Sequence, residues 1–575
     1  MKALQEVTRN DTDSLLSSIE AARRDVSRQL DPRRRAFMGQ FLTPASIATF
    51  MAEMFECKKP VVRILDPGAG SGALSAAFVL VMCRRPHPPN AIALTAYEID
   101  PLLIGYLRET LDLCRAVSEE VGIRFEGRIV AADFLEAGAS TMGGDLFAAG
   151  EKERFDCAIL NPPYRKIGTD SRERTLLRAI GLETTNLYTG FLAVTARLLT
   201  PGGEMVAITP RSFCNGPYFE PFRRFFLREM RFCRVHVFDA RDRAFADDKV
   251  LQENVVFRAV KTEALDCDVV VSASVGPDGS GLRMRTIKHD ELVRPRDPLA
   301  FIHIVPDDDG GPIRHRMASL DASLSDLGLT VSTGRVVDFR AKELLRDQPG
   351  RNTVPLIYPC HLRDGFVEWP NGHTRKPNAL ALGPRAEELL TPEGYYVLTK
   401  RFSAKEERRR VVAAVYDPTR VAPGRVAFEN HLNYYHIHGS GLPVTVAKGL
   451  AVFLNSTLVD TYFRQFSGHT QVNAADLRSL RYPGRNSLVA LGRRIGMSFP
   501  TQEELDRLVE EILFRGQRVP KRGPLQRRTT SGTVRVTRVP SDRLATVAAD
   551  GAAPRRRTGA LGELGVTNGI RGVSV

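Results

Sequence analysis

Along residues 13–30, apolar side chains at Leu16, Ile19, Val26 and Leu30 recur at spacings of three, seven and four, with Asp13 and Glu20 early and Arg28 late. That pattern predicts one amphipathic helix. From Val61 the pattern changes to short apolar runs separated by helical ones: VVRILD, AIALTAYEI, IRFEGRIVA, RFDCAIL, GEMVAIT, CRVHVFD and NVVFRAV. Strands alternating with helices predict an α/β fold with a mostly parallel sheet covered on both faces. The last two runs are joined by Ala240–Glu253, which holds no convincing helix, so the seventh strand is expected to run antiparallel. Seven strands with such an end strand form an architecture for nucleotide cofactors.

After about residue 262 the alternation fades. Residues 263–325 are polar and rich in Gly, Pro and Asp (VGPDGSG, PDDDGGP), which reads as a linker. Between 326 and 515, short strands (LTVST, RVAFEN, YYHIHG) mix with helical stretches (AVFLNSTLVDTYFRQF, TQEELDRLVEEILF), which predicts a second, α+β domain. Residues 516–575 show no sustained periodicity and are dominated by Gly, Pro, Thr and Arg, the composition of a disordered basic tail. The predicted division is therefore a helix at 1–35, a catalytic domain at 36–262, the linker at 263–325, the second domain at 326–515 and the tail. Several domains are what a length of 575 residues requires.

Composition narrows the class. With 43% hydrophobic and 26% charged residues, wholesale disorder, collagen-like and coiled-coil architectures are excluded. The longest apolar run, Ala76–Cys83, is far short of a bilayer span, and no basic-then-apolar leader opens the chain, so a soluble, cytoplasmic protein without membrane contact is expected. The 8 cysteines are scattered singly without a C-x-x-C pair, which argues against a disulfide framework and against a metal site. A net charge of +14 favours a polyanionic partner. Much of that charge is local: from Arg515 onward there are 13 Lys and Arg against 3 Asp and Glu.

The chemistry lies at strand ends. Asp66-Pro-Gly-Ala-Gly-Ser-Gly72 follows the strand VVRIL and opens the apolar helix ALSAAFVLV. Gly68, Gly70 and Gly72 leave room for a ligand to approach the backbone, and the helix N-terminus beyond them favours negative charge. The spacing is G-x-G-x-G rather than the G-x-G-x-x-G of dinucleotide binders, and no Lys-Ser/Thr follows to make a phosphate-binding P-loop. The second run ends in Tyr97-Glu98-Ile99-Asp100, where the Glu98 carboxylate can accept both hydroxyls of a ribose. The third ends at Ala132-Asp133-Phe134, where an Asp can receive an exocyclic amine and a Phe can flank an adenine ring.

Directly after the buried run FDCAIL stands Asn161-Pro162-Pro163-Tyr164. Two prolines remove backbone donors and fix φ, leaving the Asn161 side-chain oxygen and a proline carbonyl as acceptors aimed into a cleft. Such a pair suits a planar NH₂ group. An amino group conjugated to a heterocycle is a poor nucleophile; two acceptors on its hydrogens push its nitrogen towards sp³, so that its lone pair can attack a sulfonium methyl in line. Tyr164 can stack on the planar group that carries it.

At these motifs the chain resembles the class I S-adenosylmethionine-dependent methyltransferases, and among them the γ-group adenine-N6 DNA methyltransferases of restriction-modification systems. The resemblance covers about residues 36–260. It implies a Rossmann-like seven-stranded methyltransferase sheet and S-adenosyl-L-methionine as cofactor. In that group a Thr-Pro segment precedes the glycine loop and contacts the cofactor's methionine end; Gly39-Gln-Phe-Leu-Thr43-Pro44 stands in matching order. The resemblance further implies that Asp66, Gly68 and Gly70 hold the methionine part, Glu98 the ribose, and Asp133 and Phe134 the adenine. Asn161 and the Pro162 carbonyl would orient the target amino group. Tyr164 and Phe245, the aromatic residue before the last strand, would sandwich the flipped base.

In the second domain, the segment from Leu454 to Pro483 is similar to the end of target-recognition domains, and its Arg464, His469, Gln471 and Asn473 are types that read bases or hold phosphates. The expected partner is double-stranded DNA, bound between the two domains by a monomer. No metal-binding P-D…(D/E)-x-K nuclease constellation is evident, so cleavage would belong to a separate cognate restriction endonuclease. Cytosine-C5 methylation lacks its Pro-Cys nucleophile after the fourth strand, and cytosine-N4 enzymes usually carry Ser ahead of Pro-Pro-Tyr. Protein-glutamine and RNA-adenine N-methylation remain as alternatives that use the same tetrapeptide.

Overall fold

The computed structural model describes residues 17, 19–30, 42–143, 153–238, 253–262, 268–277, 279–295, 297, 299–306, 310–372, 375–403, 407–466 and 471–515. Phe245, His469 and the basic tail lie outside the described residues. The described residues all belong to one compact unit, Met1–Gln517.

The amphipathic segment forms a helix over residues 19–29 (α1), with Ile19 and Val26, and Leu30 just beyond, buried as their spacing predicts. Thr43 and Pro44 then lead into α2 (Ala45–Ala52). The alternating region follows as β1 (Val61–Pro67), α3 (Ala73–Cys83), β2 (Ala91–Tyr97), α4 (Pro101–Glu120), β3 (Arg124–Val130), α5 (Phe134–Gly143) and β4 (Phe155–Leu160). It continues with α6 (Arg172–Ala179), α7 (Leu187–Leu198), β5 (Leu199–Pro210), α8 (Glu220–Glu229), β6 (Met230–Phe238) and β7 (Asn254–Lys261). All seven predicted strands are present. Their order is β3-β2-β1-β4-β5-β7-β6, parallel through β5, with β7 antiparallel to both its neighbours as expected.

The sheet does not stop there. β8 (Asp268–Ser274) pairs parallel to β6 and β9 (Arg283–Lys288) antiparallel to β8, giving nine strands. This corrects the linker expected at 263–325. The Gly- and Pro-rich peptide there closes a hairpin, with Val275 N–H donating to the Ser280 carbonyl at 2.8 Å, and its turn residues mask two real strands.

β4 shows why the sheet is stable. All six of its residues are buried. Cys157 and Ile159 join the core under α2, α3 and α4, while Ala158 and Leu160 join the core under α5, α7 and α8. An apolar run without polar alternation is what a strand covered on both faces needs. The strand order reverses between β1 and β4, and a crevice opens beyond the carboxyl ends of strands at such a switch point. Pro67 pairs with Tyr97 and Tyr97 with Val130, so the ends of β1, β2 and β3 reach the same edge.

The C-terminal half contains a six-stranded and a five-stranded sheet together with several helices, an α+β arrangement. The long helical run predicted at 451–466 is two helices, Val444–Leu454 and Thr457–Phe466. The break has a cause: the Asn455 side chain turns onto a strand, accepting from Ala413 N–H at 3.1 Å and donating to its carbonyl at 2.8 Å. The last predicted helix, Gln502–Leu513, starts at a capping box between Thr501 and Glu504.

Candidate active site

The crevice at the switch point is a cleft of about 870 Å³, its open mouth included, lined by residues of the glycine loop, the β2 and β3 ends and the segment after β4. Gly68, Gly70, Glu98, Asp133, Phe134 and Asn161 all line it. Four strand-end segments far apart in sequence are therefore gathered at one edge by topology alone.

The glycine loop is pinned at its start: Gly68 and Ala69 N–H both donate to the Tyr97 carbonyl, at 2.9 and 2.8 Å. Gly68 and Gly70 adopt φ of 81° and 59°, the left-handed region that disfavours side chains. Gly72, at φ 88°, serves packing as well. A Cβ there would stand 2.9 Å from Leu107 and Thr110 side-chain atoms, so its absence lets α3 start hard against α4.

Glu98 is 5% exposed and accepts from Gly70 N–H at 2.9 Å, Ile99 N–H at 2.8 Å and Asp100 N–H at 2.9 Å. Burial raises its pKa above the usual carboxylate value despite these donors. It thus ties the glycine loop to β2 while lining the cleft. Asp133 does double duty as well, accepting from Glu136 N–H at 3.0 Å at the start of α5. Phe134 is wedged between Tyr97 and Phe191, with ring centroids 5.3 and 5.2 Å away.

Asp66 is placed differently. It is fully buried beneath the loop, outside the cleft lining, and accepts from the Ser75 hydroxyl at 2.6 Å. Its other oxygen is buried without a hydrogen-bond partner. Burial pushes its pKa up to about 7.

On the other side of the cleft, the Asn161 amide nitrogen donates to the Thr43 hydroxyl oxygen at 3.0 Å. Pro163 lines the cleft, while Pro162 is buried and Pro44 stands at the start of α2. Tyr164 donates its hydroxyl to the Ile208 carbonyl at 3.2 Å and packs edge-on to Tyr188. Burial holds its phenol well above the ordinary range, so it stays neutral. Sequence reasoning missed the walls: Leu30 just past α1, Leu42, Tyr97, Leu103, Phe191 and the ion pair Arg165–Glu173 at 2.5 Å. Only Tyr97, adjacent to Glu98 at a strand end, carried a signal.

The nine-stranded sheet touches the C-terminal half at Arg211, just past β5. Its guanidinium pairs with Glu253 at 2.8 Å and donates to the carbonyls of Gln465 at 2.9 Å and Ile304 at 3.3 Å. Of the expected DNA contacts, Arg464 pairs with Asp460 at 2.7 Å and donates to the Glu407 carbonyl at 2.9 Å. Asn473 caps the short helix Ala474–Arg478 in a box with Asp476. Gln471 bridges to Phe402, which is 42% exposed and packs its ring 4.9 Å from that of His431. No described helix is long and apolar enough to cross a membrane.

Three comparisons bear on this site. Residues 123–245 match the family model of the Eco57I restriction-modification methylase. The chain is 41% identical to the type II methyltransferase M.PstI of Providencia stuartii over 87% of its own length and 97% of that protein. It is 42% identical to the type II methyltransferase M.BsuBI of Bacillus subtilis, covering 87% of this chain and 98% of that one. Among solved structures, the DrdV–DNA complex aligns with 83% of this chain and 59% of its own, at 14% identity and a TM-score of 0.45.

Proposed function

The chain belongs to the type II methyltransferases of restriction-modification systems and is a DNA methyltransferase; from that premise we propose that it transfers a methyl group from S-adenosylmethionine to the N6 amino group of an adenine flipped out of duplex DNA. The observation that carries the proposal is that Asn161 lines the same cleft as Gly68, Gly70 and Glu98, which would bring an amide acceptor to the pocket assigned to the cofactor.

The residues present fit that cofactor. Glu98 offers a carboxylate to ribose hydroxyls, Asp133 an acceptor to an exocyclic amine, and Phe134, held by Tyr97 and Phe191, an apolar face to an adenine ring. The orphaned Asp66 oxygen beneath the loop is a polar group suited to the charged methionine end. Bound S-adenosylmethionine would supply an electrophilic sulfonium methyl.

The chain's own residues would do the rest. Adenine N6 is unreachable inside the duplex, so the base must leave the stack. Asn161 and the Pro162 carbonyl accept the two amino hydrogens and localise the lone pair on nitrogen. Tyr164 stacks on one face of the base, and Phe245, outside the described residues, is assigned the other. Catalysis is then positioning and electrostatics, without a covalent enzyme intermediate. In the C-terminal half, Gln471 with the exposed Phe402 and His431 supports a DNA-facing role better than Arg464 or Asn473, whose side chains serve internal bonds. A separate cognate endonuclease would complete the system.

The test is nucleoside mass spectrometry of DNA from a methylation-deficient host expressing the wild-type chain or Asn161→Ala. N6-methyladenine with the wild type alone is expected. N4-methylcytosine in its place, or an unmodified genome despite folded protein, would overturn the adenine reading.

A further inference from the structure

We propose that Thr43 is a positioning residue for methyl transfer: its hydroxyl oxygen holds the NH₂ end of the Asn161 amide and so keeps the carbonyl end turned to the target amino group. The inference rests on the adenine reading above and goes beyond it by naming what orients the orienting residue.

The two ends of an asparagine amide are nearly isosteric, so shape alone cannot choose between them. Their chemistry is opposite. A carbonyl facing the base accepts an amino hydrogen; an NH₂ group facing it sets donor against donor and leaves the nitrogen lone pair delocalised. A threonine hydroxyl can accept from the nitrogen or donate to the oxygen; in the structure it is the nitrogen that it holds. Asn161 Nδ2 lies 3.0 Å from Thr43 Oγ1. Asn161 lines the cleft and Thr43 does not. The amide nitrogen is thus drawn out of the cleft, and the oxygen is the end presented to it.

The anchor is well built. Thr43 is 6% exposed, so water competes poorly for its hydroxyl. Pro44 fixes the chain at φ −60° directly after it, and α2 begins at the next residue. Ile47, Ala48, Met51 and Ala52 of that helix are buried in the same core as Cys157 and Ile159 of β4, the strand that delivers Asn161. A further tie crosses from α1, where Glu20 accepts from Ala45 N–H at 3.2 Å. Thr43 and Asn161, 118 residues apart, are therefore carried on two elements locked by one core.

Thr43→Val removes the hydroxyl at nearly constant shape, and Thr43→Ser keeps it. With DNA and cofactor saturating, single-turnover transfer by Thr43→Val is expected to fall about 10- to 100-fold, the usual cost of losing an orienting hydrogen bond. Thr43→Ser is expected to stay within about 3-fold of wild type, and the cofactor dissociation constant of Thr43→Val, read by calorimetry, within about 3-fold. A second readout needs no activity: in a melting-temperature cycle, Thr43→Val and Asn161→Ala should be non-additive, because each breaks the same bond.

Wild-type transfer by Thr43→Val, a Thr43→Ser loss as large as that of Val, a defect confined to cofactor affinity, or strict additivity in the melting cycle would each overturn the proposal. Failure of the adenine reading shows separately, as wild-type protein that makes no N6-methyladenine; the melting cycle still reports on the bond in that case.

Discussion

The cleft edge of the sheet and the C-terminal half use polar side chains in opposite ways. At the edge, Glu98, Asp133 and Asn161 each make a structural bond and still face the cleft. In the C-terminal half, Arg464 and Asn473 spend their polar groups on Asp460, Glu407 and a helix cap. The difference comes from topology. Parallel strands end at a common edge, so a residue that follows a strand is delivered to the crevice whatever else it does. Small mixed sheets and short helices offer no such address, and the same residue types there are as useful for holding the chain together as for meeting DNA.

The strongest way to break this contrast is to show that a cleft residue is merely structural. Asn161→Ala should lower kcat by about 10²–10³-fold or more, as loss of a preorganised polar group at a reacting centre does. Its cofactor affinity should stay close to wild type, and its melting temperature should fall by no more than the few degrees that losing the bond to Thr43 brings. A mutant that melts early and regains activity on cooling would place Asn161 with the structural group.

Asp66 lies on the boundary, buried under the cleft rather than in it. Its pKa is raised to about 7, chiefly by burial. In the unfolded chain it titrates near the ordinary aspartate value of 3.8. Between those values the unfolded state has released a proton that the fold retains, so this group makes stability fall as pH rises from about 4 to 7 and level off above. The shift corresponds to a few kcal/mol at most, on the order of 1.4 per unit. Asp66→Asn keeps the acceptor for Ser75 and should flatten the slope in urea denaturation run from pH 4.5 to 8. An unchanged slope would mean that Asp66 ionises freely in the fold.

Glu98→Gln tests the double use directly. One carboxylate oxygen becomes an NH₂ facing backbone donors, from Gly70 or from Ile99 and Asp100. Cofactor affinity should drop about 10- to 100-fold, with kcat at saturation reduced less. A fall in kcat alone would argue that Glu98 touches chemistry rather than cofactor.

These residues also mark how far the sequence could be read. The strand runs were legible because burial on both faces removes polar alternation, and the motifs were legible because each follows such a run. The cleft walls were not. Phe191 sits in a helix whose apolar pattern reads only as core, and Leu30 follows a helix assigned outside the catalytic domain. β8 and β9 escaped because the glycines and the proline of their hairpin carry the signature of a linker. Asn473 shows the converse: followed three residues later by Asp476, it carries the signature of a helix start, a structural use that its residue type alone does not distinguish from base reading.

That last residue gives the smallest and most discriminating effect. Asn473 caps Ala474–Arg478, and its backbone N–H is returned by Asp476 at 2.9 Å. Asp476 is fully buried, so the box closes a turn inside the molecule rather than at a binding face. Asn473→Ala should cost about 1 kcal/mol, the ordinary value of a lost cap, while Asn473→Asp should cost much less because Asp caps equally well. If the residue read bases, the ranking would invert in a different assay: both variants would change the methylated sequence, since neither Ala nor a carboxylate can donate and accept on an adenine edge as an amide does. Thermal melts beside a map of methylated sites therefore separate the two uses. Lower stability with an unchanged target keeps Asn473 with the internal group, and a relaxed target at full stability would move it to the DNA face and dissolve the contrast between the two halves.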